Sequence, residues 1–255
     1  MSIIVYNSKF LIVLLLILTT ACNQTPKTQT INTYFTDNPT QTKSTYQALQ
    51  KDTTIKHGLY TSYHNNGNQK MIVNYVKGQK EGTGQIYNEA GKLKETAEFK
   101  NDQLNGLRQL YNDSTKQIII VENYKNNNFE GEYLSYHPNG ELKQKGQYVN
   151  NKMSGLWKYY YPTGALKEAV QFKNNKEEGP YKAYHQNGKL KAEGTYENEN
   201  RQGPWKVYHP NGVLEEQANY VDDWEEGIIE VFDSSGTKIK AITYKQGRVQ
   251  NLEKF

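Results

Sequence analysis

The 255-residue chain has a single cysteine, Cys22, so no disulfide can form within it. It also lacks an excess of either charge: 31 Lys and Arg stand against 27 Asp and Glu, a net +4. Removing residues 1–21 takes away Lys9 and no acidic residue, which leaves +3. Lysines alternate with glutamates along the polar faces instead of forming a basic stripe. Aromatics interleaved with lysine can stack on bases, but the N-terminal segment reads as an export signal, which places the chain where nucleic acid is not the expected partner.

Chemistry-bearing constellations are missing too. No Gly-rich phosphate loop follows a strand and opens a helix, and no Ser-His-Asp set stands out. Four of the five histidines, His64, His137, His185 and His209, occupy one repeated position. Neighbours such as His185 and His209 would lie ~9–10 Å apart, two strand spacings, too far for one metal ion. The acids Glu81, Glu130, Glu178 and Glu226 recur in the same way and read as turn residues, not as a catalytic carboxylate pair. The chain therefore reads as non-enzymatic, with no cofactor and no metal site.

A long apolar run appears at the front, from Phe10 to Leu18, and it is too short to span a bilayer as a stable helix. Lys9 precedes it, and Thr19, Thr20 and Ala21 lead to Cys22. A basic residue, a short apolar core and small residues before a cut site make an export signal over residues 1–21. Leu18-Thr19-Thr20-Ala21-Cys22 resembles a bacterial lipobox, with Thr19 where leucine is usual, so Cys22 is the expected lipid attachment. Acyl chains there would hold the protein on a bacterial membrane, on the periplasmic side or at the cell surface, at ~0.8 kcal/mol per buried CH₂. Residues 22–56 are rich in Thr, Gln, Asn and Lys, and they read as a flexible tether.

What the chain has in abundance is a period. Glycine returns at Gly58, Gly82, Gly106, Gly131, Gly155, Gly179, Gly203 and Gly227, in steps of 24 residues with one of 25. Five residues past each stands an aromatic, from Tyr63 to Phe232, and another closes each period, from Tyr75 to Tyr244. Within a unit, His137-Pro138-Asn139-Gly140 reads as a tight turn, and a second turn falls near Asn151. Two turns leave two short strands, so each unit is a β-hairpin. The second strand alternates: Leu166, Val170 and Phe172 oppose Lys167 and Gln171. The first strand does not, because Trp157 and Tyr159 share a face that excludes Tyr160. Either it bulges before Tyr160, or both faces carry aromatic rows. The expected fold is all-β: an elongated single-layer antiparallel sheet of about eight stacked 24-residue hairpins over residues 57–255.

The pattern G-x-W-x-x-Y-H-P-N-G-x-L-x-x-x-x-x-Y, from Gly203 to Tyr220, resembles the variant MORN (membrane occupation and recognition nexus) repeats of bacteria, a group that includes YwqK-type antitoxins. The resemblance spans residues 57 to about 250 and implies stacked hairpins with roles in protein or lipid contact. It brings no catalytic motif. The expected function is a membrane-tethered scaffold that binds an envelope protein or peptide. The alternatives are an antitoxin or immunity-like protein, or a binder of glycan or lipid headgroups. The candidate binding row is Tyr133, Trp157, Tyr181 and Trp205, one ring per unit. These rings either line a groove for a partner or stack on one another as the core of the sheet.

Overall fold

The computed structural model describes residues 25–255, so the export signal and Cys22 lie outside the described residues. All of the regular structure of the described residues is β: 21 strands in one antiparallel sheet. Two of the 21, Asn128–Phe129 and Trp224–Glu225, are detached first residues of the strands Gly131–Tyr136 and Gly227–Phe232, so the sheet is nineteen strands wide. It is open, with Thr28–Tyr34 at one edge and Arg248–Lys254 at the other.

The glycine period has a backbone cause. All eight anchor glycines take a positive φ, between 70° and 122°. At Gly155 (φ 72°) this conformation makes a bulge: Gln147 pairs with Ser154 and Lys145 with Lys158, so three residues, Gly155 to Trp157, face Gly146 alone. A side chain at Gly155 would strain that conformation. Asn251, the ninth register position, has no positive φ, and the pairing there shifts instead between Val249 and Asn251.

Each unit turns twice. In the first turn Gly140 donates its N–H to the His137 carbonyl at 2.9 Å, and His137 donates to Glu141 at 2.8 Å, a tight turn closed by a glycine bulge. The second is a two-residue turn with both residues left-handed, as at Asn174 (φ 54°) and Asn175 (φ 71°). Asn and Asp tolerate that conformation best after glycine.

Residues 22–56 were expected to be a tether, but from Thr28 onward they are part of the sheet. Thr28–Tyr34 and Thr42–Leu49 form a further hairpin, and Thr42–Leu49 pairs with Asp52–Tyr63. Composition misleads here because the segment needs no core of its own; it extends an existing edge. Its polar side chains bond across the strands: Thr33 to Ser44 at 2.7 Å, Thr45 to Asn32 at 2.9 Å and Gln47 to Thr30 at 3.0 Å.

Candidate functional site

The row Tyr133, Trp157, Tyr181, Trp205 is assembled by the pairing register. Tyr133 lies opposite Gly146, Trp157 opposite Val170, Val170 opposite Tyr181, Tyr181 opposite Gly194, and Trp205 opposite Ala218. Large rings on first strands thus alternate with small residues on second strands. Tyr133 and Trp157 stack at 5.7 Å, and Tyr181 and Trp205 at 5.3 Å. Tyr148 meets Trp157 edge-on at 5.2 Å, and Tyr196 meets Trp205 at 5.1 Å. Trp157 is 1 % exposed and Trp205 8 %, so neither ring is open to a partner. The expectation of a binding groove at these four residues is corrected: the row is the core of the sheet. Burial pushes the Tyr159 phenol beside it up to about 12, and the carboxylates of Glu168 and Glu177 add to the shift.

At one place the row turns ionic. Arg108 and Glu122 pair where five other units place a ring against a small residue, and where the remaining two place Gly84 against Ala97 and Ile229 against Ile242. Arg108 reaches Glu95 at 2.9 Å and Glu122 at 2.7 Å. Both carboxylates hold the guanidinium charged, against the cost of burial.

The repeated polar residues prove to be joints between units. His64, His137, His185 and His209 each place Nε2 2.7–3.0 Å from a main-chain carbonyl 23 residues onward. In the fifth unit Tyr161 takes the same place through its hydroxyl, which donates to the Tyr184 carbonyl at 2.9 Å. Glu130, Glu178 and Glu226 accept the first N–H of the following two-residue turn at 2.7–2.8 Å. Asn175 accepts from Met153 N–H through its side chain at 2.7 Å and donates its own N–H to the Met153 carbonyl at 3.1 Å. Among the described residues, no group of three or more His, Cys, Asp or Glu could hold a metal ion.

The other face carries the strongly exposed apolar side chains. Every unit bulges just before its second aromatic, as between Tyr159 and Tyr160 or Val207 and Tyr208. Tyr159 packs 6.5 Å from Trp157 on the core side, whereas the Tyr208 hydroxyl bonds Glu193 at 3.0 Å on the opposite face. The first strand therefore carries aromatics on its two faces, and the extra residue of the bulge, such as Lys167, belongs to the partner strand. On this outer face Tyr136, Tyr160, Tyr184 and Tyr208 are half-buried, and Leu59, Leu156 and Ile228 are at least half exposed. Lys145 pairs with Glu132 at 2.7 Å and Lys182 with Glu193 at 3.7 Å. One outer-face cavity, of about 280 Å³, lies between Pro180 and Pro204.

Two features escaped the sequence reading, the Arg108 ion pairs and the exposed Trp224. A signal existed for both. Arg108 and Glu122 break a ring-and-small pattern, and Trp224 breaks a polar one.

No curated protein matches the chain. Among solved structures 62 chains match. One belongs to a mutant Tc holotoxin pore of Photorhabdus luminescens, at 12 % identity and a TM-score of 0.21, over 88 % of this chain and 15 % of that one. So low a score bears on neither fold nor function. The sequence profile of the MORN repeat variant family matches six segments: 56–77, 80–101, 129–150, 153–174, 177–198 and 201–222. Between 101 and 129, where Arg108 lies, and beyond 222 it matches no segment. The six segments make up just over half of the chain, which accordingly belongs to the MORN repeat variant family.

Proposed function

We propose that the protein is a non-enzymatic scaffold, exported and held on a bacterial membrane through a lipid at Cys22, which binds a protein partner along the outer face of its sheet. The observation that carries this reading is the division of labour between the faces. The core face stacks its large rings on one another, with Trp157 at 1 % exposure, while the outer face repeats half-buried tyrosines from unit to unit and exposes Leu59, Leu156 and Ile228. Amphipathic rings of this kind give large contact area at low entropic cost. Membrane attachment rests on the Lys9, Phe10–Leu18 and Cys22 pattern alone.

Cross-linked capture from native membranes tests it, using the full chain, Cys22→Ala, and a Tyr160→Ala/Tyr184→Ala double variant. One stoichiometric partner is expected. The outer-face variant should lose it with an unchanged β-type circular dichroism spectrum, and Cys22→Ala should move the protein to the soluble fraction. A partner retained by the double variant overturns the outer-face assignment. Should the partner be a toxin, rescue of growth on co-expression would identify an immunity role.

A further inference from the structure

The first residue after the two-residue turn is polar in seven units: Gln79, Gln103, Asn128, Lys152, Lys176, Asn200 and Arg248. In the remaining one it is Trp224, and the indole is 61 % exposed. Its seat is built. The ring lies over Gly247, where an added Cβ would come within 2.2 Å of Cε3 and 2.9 Å of Cζ3. Beside it runs a groove of about 790 Å³, lined by Val221, Asp222, Trp224, Glu226, Gln246 and Arg248. That volume falls within the ~300–1,000 Å³ of small-molecule sites.

The polar groups of the groove are uncommitted. Among the described residues, the side chains of Asp222, Gln246 and Arg248 make no hydrogen bond or ion pair within the protein. Glu226 uses Oε2 to hold Gln246 N–H at 2.7 Å, which leaves Oε1 open. Asp223, one residue along, is by contrast tied to Arg201 at 3.1 Å. A dry apolar partner would strand these charges at several kcal/mol each. A phosphate would meet the carboxylates of Asp222 and Glu226. A sugar ring satisfies both halves of the site, because its C–H face can lie on the indole while its hydroxyls bond to carboxylate, amide and guanidinium.

We propose that the Trp224 groove binds a pyranose unit of an oligosaccharide, stacked on the indole and hydrogen-bonded by Asp222, Gln246 and Arg248. The groove lies at the turn between Leu214–Val221 and Trp224–Glu225 and does not include Tyr160 or Tyr184, so the variants that test the two readings do not overlap.

The chain has three tryptophans, and Trp157 and Trp205 are buried, so a soluble quencher reports chiefly on Trp224. The experiment is acrylamide quenching of the full chain in detergent, titrated with N-acetylglucosamine tetramer, cellotetraose and a proline-rich decapeptide. One tetrasaccharide should protect the quenchable signal saturably. Asp222→Ala and Gln246→Ala, which leave the ring in place, should each weaken that binding several-fold. Trp224→Ala should abolish binding measured by calorimetry, with the melting temperature and circular dichroism unchanged. Three results would overturn the proposal: no protection by either sugar up to about 10 mM, ten times the ~1 mM scale of weak association; equal binding by Trp224→Ala; or protection by the peptide alone.

Discussion

Replacing Gly146 with alanine tests the architecture of the core row. Gly146 has no positive φ, so alanine fits its backbone and any cost comes from contact. An added Cβ would stand 2.1, 2.2 and 2.6 Å from Cδ2, Cε2 and Cε3 of Trp157, where unstrained carbons sit ~3.5–4.0 Å apart. The indole would have to move by more than ~1 Å. Its retreat is blocked by Tyr148 edge-on at 5.2 Å, Phe172 at 6.2 Å and Tyr133 stacked at 5.7 Å. Overpacking costs ~1–3 kcal/mol, and a site closed on three sides belongs at the upper end, about 3 kcal/mol.

The decisive comparison is the same change in a Trp157→Ala background. That truncation alone should cost ~3–5 kcal/mol. With the ring gone, Gly146→Ala adds a methyl to the void and restricts the unfolded chain, so it should be neutral or stabilising by ~0.5–1 kcal/mol. The resulting coupling, about 3–4 kcal/mol, exceeds that of most contacting pairs. Because repeat arrays can open unit by unit, hydrogen exchange over Leu142–Val149 and Lys152–Tyr160 is the appropriate assay, beside urea unfolding. Equal cost of Gly146→Ala in both backgrounds would refute the reading of glycine as a socket for the ring.

Three further outcomes follow from the same geometry. Arg108→Met should destabilise by about 2–3 kcal/mol by urea unfolding, because Glu122 is left 7 % exposed and unpaired; the partial exposure of Arg108 and Glu95 keeps this below the ~3–5 kcal/mol of fully buried pairs. Asn175→Ala forces alanine into φ 71° and removes the 2.7 Å cap on Met153 N–H, whereas Asn175→Gly loses only the cap; alanine should unfold at the lower urea concentration, by about 1 kcal/mol. Burial, then Glu168 and Glu199, raise the Glu177 carboxyl above its usual range. The folded state thus holds that proton more tightly than the unfolded chain, and stability is lost as pH rises from the unfolded value of ~4.3 through the folded one. Glu177→Gln should accordingly raise the melting temperature at pH 7 and give no gain at pH ~3; a gain constant with pH would contradict this.

What could be read from the sequence and what could not divide along physical lines. The hairpins, both turns and the anchor glycines were legible because left-handed backbone admits few residue types, so geometry writes itself into composition at fixed spacing. The face of Leu166 was not, because the bulge opposite Tyr159 and Tyr160 inserts Lys167, pairs Leu166 with outer-face Tyr160, and period-2 reasoning assumes no insertion. The expected tether failed for a related reason. Composition judges whether a segment can bury its own core, but Thr28–Leu49 borrows a sheet edge, buries only Ser44 and Ala48 fully, and bonds its polar groups across strands. The candidate row was found because it recurs, and recurrence is what a core in a translated fold must show. His137 and Glu130 recur for the same reason, as joints between neighbours. In such a fold a residue that serves every unit alike is selected by stacking, and a residue with its own task must break the period. Arg108 and Trp224 do so. Arg108 is consumed by its carboxylates, and Trp224, seated on Gly247 among unpaired polar groups, is left facing solvent.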